Sequence, residues 1–421
     1  MFSVSGNTGG KNLKSNAATF WMMLLACVLI VLGDVRFIIG SIGYWLAWSV
    51  VGFAGFFLTG TVFSRKISVD LFVYLIGFFL VFISFILSGF VNQDMYTLYQ
   101  GFKMFCVMVI FFCIYINAKR LSGDDFYIIS MVCIAVGLCF FLLCKYVYKD
   151  FYILLGDGRQ GSLFAYPGVL WKTPVFFTGF IISGAIFAGK NKVLALLAVI
   201  AAMYLLIMDS SRTGFLIIAM IALLFIMLCA YLKPKLAVIC SLLLLISGIC
   251  LLVLYGGGFI SFGHADEPLV LNRLAAGDPI RAKMLLDGIT HAEECVPLGC
   301  GFGTATSWVD GGPMVVHNAY LSSIGDLGVA GFIGMAVLMI SPIVFFLCNI
   351  RHFNVLDSES TKKLAFSIAA MGGGIGYAFL LMLHPLSTEL SEWGIWIVMV
   401  SILSVFSKHV DVNKLNVQAE A

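Results

Sequence analysis

With 421 residues, 61% of them hydrophobic and only 11% charged, the chain carries more apolar surface than a soluble core of this length can hide. That excludes a soluble globular enzyme, and a formal charge of +3 spread over scattered lysines and arginines excludes a nucleic-acid partner. What remains is an all-α integral membrane protein.

A bilayer core about 30 Å thick takes about 20 apolar helical residues, and about twelve such runs are present. In chain order they cover 18–33, 37–58, 69–90, 97–118, 126–147, 173–189, 193–208, 213–232, 236–255, 328–350, 364–384 and 388–407. The first is a helix and not a signal peptide, because Asp34-Val35-Arg36 replaces a small-residue cleavage site and a second span follows at once. No internal repeat is visible, so residues 1–421 read as a single polytopic membrane domain. Residues 256–316 form its one long polar loop, and 409–421 a short cytoplasmic tail.

Alternate connections carry Arg65-Lys66, Lys119-Arg120, Lys190 with Lys192, Lys233 with Lys235, and Arg351 with Lys362-Lys363. Short basic loops stay cytoplasmic, and Lys11, Lys14, Lys408 and Lys414 put both termini on that side. The other connections, 34–36, 91–96, 148–172, 209–212, 256–317 and 385–388, are then extracytoplasmic; in a Gram-negative inner membrane they face the periplasm.

Most of the twelve cysteines lie within apolar runs, where they act as small core residues. Cys295 and Cys300 lie in the long loop, and their spacing permits a disulfide in an oxidising compartment or two free thiols.

The residues able to carry chemistry follow along the chain. Lys103, about two turns inside its span, is costly there and so a candidate for binding substrate. Arg159 and Lys172 occupy the loop at 148–172. Arg212, in Asp209-Ser210-Ser211-Arg212-Thr213-Gly214, sits in a turn with almost no loop; it either snorkels to the headgroups or serves a ligand. In the long loop, Asp278-Pro279 starts a helix in which Ile280, Met284, Leu285 and Ile289 recur at helical spacing, an amphipathic stripe for the membrane domain or the bilayer. Arg281 in its first turn suits a phosphate, and Arg273 is a weaker candidate of the same kind. Pro297-Leu298-Gly299-Cys300-Gly301-Phe302-Gly303-Thr304 lacks the Lys-Ser/Thr ending of a P-loop and reads as a flexible turn. His317, with Asn318 beside it, opens a polar-edged helix closed by Gly328 and Gly331, and a neutral histidine at this boundary suits a general base. Arg36, His384, Glu389 and Glu392 face the same side, each an anchor or a participant. No carboxylate pair, DxD-like motif or histidine cluster with metal-ligand spacing stands out, so no metal and no cofactor is expected.

His317-Asn318 followed after nine residues by Gly328-Val329-Ala330-Gly331, with Arg281 and Leu285 upstream, resembles the O-antigen ligase family. Ser211-Arg212-Thr213-Gly214 and Arg159-Gln160-Gly161 look like that family as well. The resemblance implies twelve spans, a GT-C-like plan, and a large periplasmic loop between the ninth and tenth. It also implies metal-independent, inverting glycosyl transfer from undecaprenyl pyrophosphate to a sugar hydroxyl of a lipid A core. His317 would be the base, Arg212 and Arg281 would hold the pyrophosphate, and Arg159 would assist. O-antigen polymerases share the plan, and the motifs do not separate the two. A lipid-linked oligosaccharide transporter would gather charge near mid-membrane, where Lys103 stands alone.

Overall fold

The computed structural model describes residues 9–60, 68–155, 158–235, 238, 241–242, 279–309, 311–350, 353 and 357–406. Its helices, in chain order, are α1 (Gly9–Val31), α2 (Arg36–Gly60), α3 (Val69–Val91), α4 (Met95–Ala118), α5 (Gly123–Tyr146), α6 (Lys172–Phe187), α7 (Lys192–Asp209), α8 (Arg212–Leu232), α9 (Pro279–Cys295), α10 (Ala319–Ile350), α11 (Ser358–Leu381) and α12 (Leu390–Phe406). Among the described residues, eight of these (α2–α5, α7, α8, α10 and α11) are long and apolar enough to cross a membrane. Residues 17–31, α6 and α12 are shorter apolar helices. The chain is thus a helical multi-pass membrane protein. The predicted ninth span, 236–255, lies largely outside the described residues, as do Asp278 and Arg273.

Two antiparallel hairpins complete the fold, and the sequence reading anticipated neither. β1 (Tyr152–Leu154) pairs with β2 (Gln160–Ser162), and β3 (Thr306–Val309) with β4 (Gly312–Val315). The first lies in the α5–α6 connection, the second between α9 and α10.

Helices in lipid gain little from apolar burial between them and associate through close packing. Here α3 and α10 meet along small residues. A Cβ on Gly334 would stand 2.7 Å from Val81 and 2.8 Å from the Gly77 carbonyl, and one on Gly331 would stand 2.9 Å from Ser84 Oγ. Inside the bundle, Tyr74, Phe78, Phe111 and Trp396 interlock at ring-centroid distances of 5.0–5.9 Å. α10 is interrupted at Gly328 (φ 77°), where a side chain would collide with the Pro297 carbonyl.

Because consecutive helices alternate in direction, their connections gather at two ends. One end carries Lys119, Arg120, Lys190, Lys192, Lys233 and Lys362, with Lys190 paired to Asp124 at 2.6 Å. The other carries His317, Arg281, Arg212 and most of the buried ion pairs. Lys103 belongs to this second set. Its ammonium meets Glu389 Oε1 at 2.5 Å, and Arg36 reaches the same oxygen at 3.3 Å. Glu389 therefore accounts for the cost of an intramembrane lysine. Removing the carboxylate leaves the Lys103 charge buried without its partner, which costs about 3–5 kcal/mol. Glu389→Ala should lower the thermal unfolding midpoint of the purified protein, and Lys103→Met combined with Glu389→Ala should recover most of the loss.

Candidate functional site

The α7–α8 turn is built around a carboxylate. Asp209 ends α7 and is completely buried. Its Oδ1 accepts from Arg159 Nη2 (3.1 Å) and Gly168 N–H (2.7 Å), its Oδ2 from Trp171 N–H (2.9 Å), and its carbonyl from Arg159 Nε (3.2 Å). Ser210 adopts a left-handed conformation (φ 51°), and the Ser211 hydroxyl caps α8 by accepting from Gly214 N–H at 3.2 Å. Arg212 is thereby fixed as the first residue of α8. Gly214 lies against the Trp171 ring, so close that a Cβ would stand 2.9 Å from Cε3. This joins the Arg212 turn to Trp171 and to Lys172, the first residue of α6.

Lys172 is 5% exposed, and its ammonium donates to Glu392 Oε1, in the first turn of α12, at 2.7 Å. Next to this pair comes His384, in the link between α11 and α12. Burial is the main reason its imidazole is held down at about 3; the charge of Lys172 adds to this, Glu392 opposes it, and His317 and Arg281 add smaller contributions in the same sense as Lys172. His384 is therefore neutral and lies within electrostatic reach of all four groups. Asp34, between α1 and α2, feels Arg36, Lys172 and Glu392, and burial raises its pKa despite the Tyr166 N–H it accepts at 2.9 Å.

Arg281 and His317 arrive on α9 and at the head of α10. Of the expected apolar stripe of α9, Met284 packs against the protein, beside Gly288, Ala292 and Cys295, while Ile280, Leu285 and Ile289 face outward, where a bilayer surface would meet them. Small residues win because the helices touch: a Cβ on Gly288 would stand 2.9 Å from Val316, and one on Gly325 would stand 2.6 Å from the His291 ring.

The glycine-rich segment after α9 is likewise not a flexible turn. Buried Asp326 accepts from the N–H groups of Gly303 (2.9 Å) and Ala305 (2.8 Å) and from the Thr304 hydroxyl (3.2 Å). The Asp326 carbonyl takes the Gly301 N–H and the Ser88 hydroxyl, and Asn92 donates to the Gly299 carbonyl. Cys295 and Cys300 form a disulfide within it.

Past the second hairpin, His317 Nδ1 lies 2.9 Å from the Val315 carbonyl. A carbonyl only accepts, so Nδ1 carries the proton of the neutral ring and Nε2 keeps its lone pair. Asn318 caps α10, its Oδ1 accepting from Tyr320 and Leu321 N–H at 3.1 Å each.

Two of the expected ligands therefore have structural partners, Arg159 in Asp209 and Lys103 in Glu389, and Asn318 is a helix cap. His317 and Arg281 both act electrostatically on His384. Arg212 is joined to the same region through Trp171 and Lys172. Among the described helices, α2, α6, α7, α8 and α9 have a cation in the first turn (Arg36, Lys172, Lys192, Arg212, Arg281) and no acidic residue there, and Lys172, Arg212 and Arg281 are the three taken up below. A cation at a helix N-terminus opposes the helix dipole, and the two together make a strong place for an anion. Asp209 and the Lys172–Glu392 pair had no assigned role in the sequence reading. The one signal for them was an ionisable residue at the rim of an apolar run in a chain with only 22 acidic residues.

No protein-family model matches the chain, and no curated protein matches it.

The state of His384 can be measured. The unfolded chain takes up its proton near the ordinary value of 6.5, whereas the folded site refuses it until about pH 3. The folded state thus loses stability as pH falls through that interval. The unfolding midpoint should drop from pH 6.5 towards pH 4, and His384→Asn should make this decline shallower.

Proposed function

We propose that the chain is an O-antigen ligase, moving a polysaccharide from undecaprenyl pyrophosphate to a sugar hydroxyl of a lipid A core on the periplasmic side of the inner membrane. The observation that carries the reading is the His317 ring, held through Nδ1 by the Val315 carbonyl so that Nε2 is left to accept a proton, on the same end of the helices as the first-turn cations Arg212 and Arg281. Sequence resemblance supplies the acceptor and the carrier.

In this reading the long-loop side is the periplasm and both termini are cytoplasmic. The Cys295–Cys300 disulfide supports that orientation, since such bonds persist in oxidising compartments. The run of short lysine connections at the opposite end supports it as well.

The chemistry is an in-line displacement. His317 Nε2 takes the proton of the acceptor hydroxyl, and that oxygen bonds to the anomeric carbon of the donor. The bond from that carbon to the pyrophosphate oxygen breaks, and its electron pair leaves with the pyrophosphate. Attack opposite the leaving group inverts the anomeric centre. Arg212 and Arg281 stabilise the negative charge that grows on the departing phosphate, in a site whose low dielectric strengthens each contact. His384 is neutral, so the cations of the site are the arginines and Lys172. The residues in named roles are all protein side chains, and the donor brings its own activated bond.

In a purified assay with lipid-linked donor and core acceptor, His317→Ala should lose about 10²–10⁴-fold in rate, the usual worth of a general base. Arg212→Ala and Arg281→Ala should each lose about 10²–10³-fold, as for other groups that stabilise developing charge. All three variants should still reach the membrane, and a chelator should leave the rate unchanged. Full transfer by His317→Ala, or strict dependence on added divalent metal, would overturn the mechanism. A strain lacking the protein should accumulate carrier-linked polymer and bare core. Core capped by a single repeat unit would instead identify a polymerase.

A further inference from the structure

α9 lies across the end of the bundle and not along it. The head of α10, beside which it runs, crosses from one span to another: the Tyr320 hydroxyl donates to the Ala378 carbonyl near the end of α11, and the Asp326 carbonyl accepts from the Ser88 hydroxyl near the end of α3. α9 keeps pace with that stretch, with Gly288 against Val316 and Leu321, Gly325 against His291 and Ala292, and Gly299 against the Asp326 carbonyl. The helix therefore lies at the level where the spans leave the membrane, along the membrane plane.

Its circumference divides into three sides. Successive residues turn by about 100°, which gathers Met284, Gly288, Ala292 and Cys295 on the side packed against α10. Lys283, Asp287, Thr290 and Glu294 form a second side. The β3–β4 hairpin roofs it: the Lys283 ammonium donates to the Trp308 carbonyl, and the Ser307 hydroxyl to the Asp287 carboxylate. The third side consists of Ala282, Leu285, Leu286 and Ile289, apolar until Glu293 in the last turn. It is bare, with its three large side chains 41–65% exposed.

What covers this side follows from what it adjoins. Past α9, Val296 and Leu298 are exposed as well, and the Gly299 carbonyl accepts from Asn92 Nδ2 at 2.9 Å. The Phe302 ring meets that of Tyr96 at 6.0 Å, and Phe90, Val91, Met95 and Tyr96 stand exposed around this α3–α4 turn. Exposed aromatic residues at the ends of spans mark the membrane–water interface. Through these residues the bare side of α9 continues into the lipid-facing surface of the spans. An apolar side next to a polar one is the build of a helix that lies in the interface plane.

We propose that α9 is an interfacial helix, with Leu285, Leu286 and Ile289 seated among the lipids of the leaflet at this end of the spans and the hairpin turned to water. The partner is a lipid surface, and the seating is independent of the reaction proposed above. Its consequence falls on Arg281. One turn before Leu285, on the seam between the packed side and the bare one, this residue is carried at the depth of the lipid headgroups.

The test is photocrosslinking of the full-length protein in nanodiscs of phosphatidylethanolamine and phosphatidylglycerol. p-Benzoylphenylalanine is placed singly at Leu286, Ile289, Thr290 and Glu294, all of them exposed positions that accommodate the ring, and at Phe102, exposed on the span α4, as the lipid-facing reference. Irradiation joins the benzophenone to a C–H bond of whatever lies against it, and the mass of the product identifies the neighbour. Lipid adducts should form at Leu286 and Ile289 to the extent seen at Phe102, and several-fold less at Thr290 and Glu294. Absence of lipid adducts at Leu286 and Ile289 would put that side in water. Protein adducts there would mean that another part of the chain or a second copy covers it. Either result overturns the proposal, as would equal lipid adducts at all four positions of α9, since the helix would then have no polar side.

Discussion

The buried carboxylate of Asp209 is the constraint on which the rest of this end of the molecule depends. It satisfies two backbone N–H groups and a guanidinium from a loop that β1 and β2 alone would hold poorly. That loop leads into Lys172, and the residue after Asp209 begins the turn that presents Arg212. One anion in the interior thus fixes the relative placement of two cations on different helices. Its burial is expensive, and removing a single partner of such a network leaves an uncompensated charge. The fold accepts the cost at a position where the spacing of positive groups matters.

The same logic extends around the rim. Glu389 holds Lys103 and Arg36, Asp34 ties the α1–α2 turn to the loop before α6, and Glu392 stands against Lys172. A chain with only 11% charged residues has concentrated much of its ionic content at one end of the helices. Groups already oriented and mostly shielded from water need not reorganise when a ligand's charge develops, and this preorganisation is what an electrostatic catalyst requires. At the opposite end the ion pairs stand nearer the surface, Lys190 with Asp124 and Glu359 with Lys362 and Lys363.

How much of this could be read from the sequence follows from the range of each interaction. The helices were legible because hydropathy is a local property, and each predicted span within the described residues falls on one. The break at Gly328 and the start of α9 at Pro279 were legible because glycine and proline act on their own backbone. The packed face of α9 was legible only at Met284, since bulk also pointed to Ile280, Leu285 and Ile289 while close approach to α10 selected Gly288 and Ala292. The fates of Arg159 and Lys103 were not legible either. Their carboxylates lie 50 and 286 residues away, and no periodicity carries that information. A charged residue at a membrane boundary announces only that something must compensate it. Whether the partner is a side chain or a ligand is decided by the fold.

The seam between α9 and α10 has a mechanical meaning. Val316, Leu321 and the His291 ring fill the hollows at Gly288 and Gly325, so α9 is keyed against α10 at one register. The Pro297–Thr304 segment, stapled to Ser88, Asn92 and Asp326, fixes the end of α9 against that register. Arg281 lies fourteen residues before Cys295, about 21 Å at the rise of an α-helix. A slip of one residue would carry its guanidinium about 1.5 Å, half the length of a hydrogen bond. The turn therefore works as a gauge block: its length sets how far the arginine projects over the site, from a distance at which it touches nothing that reacts.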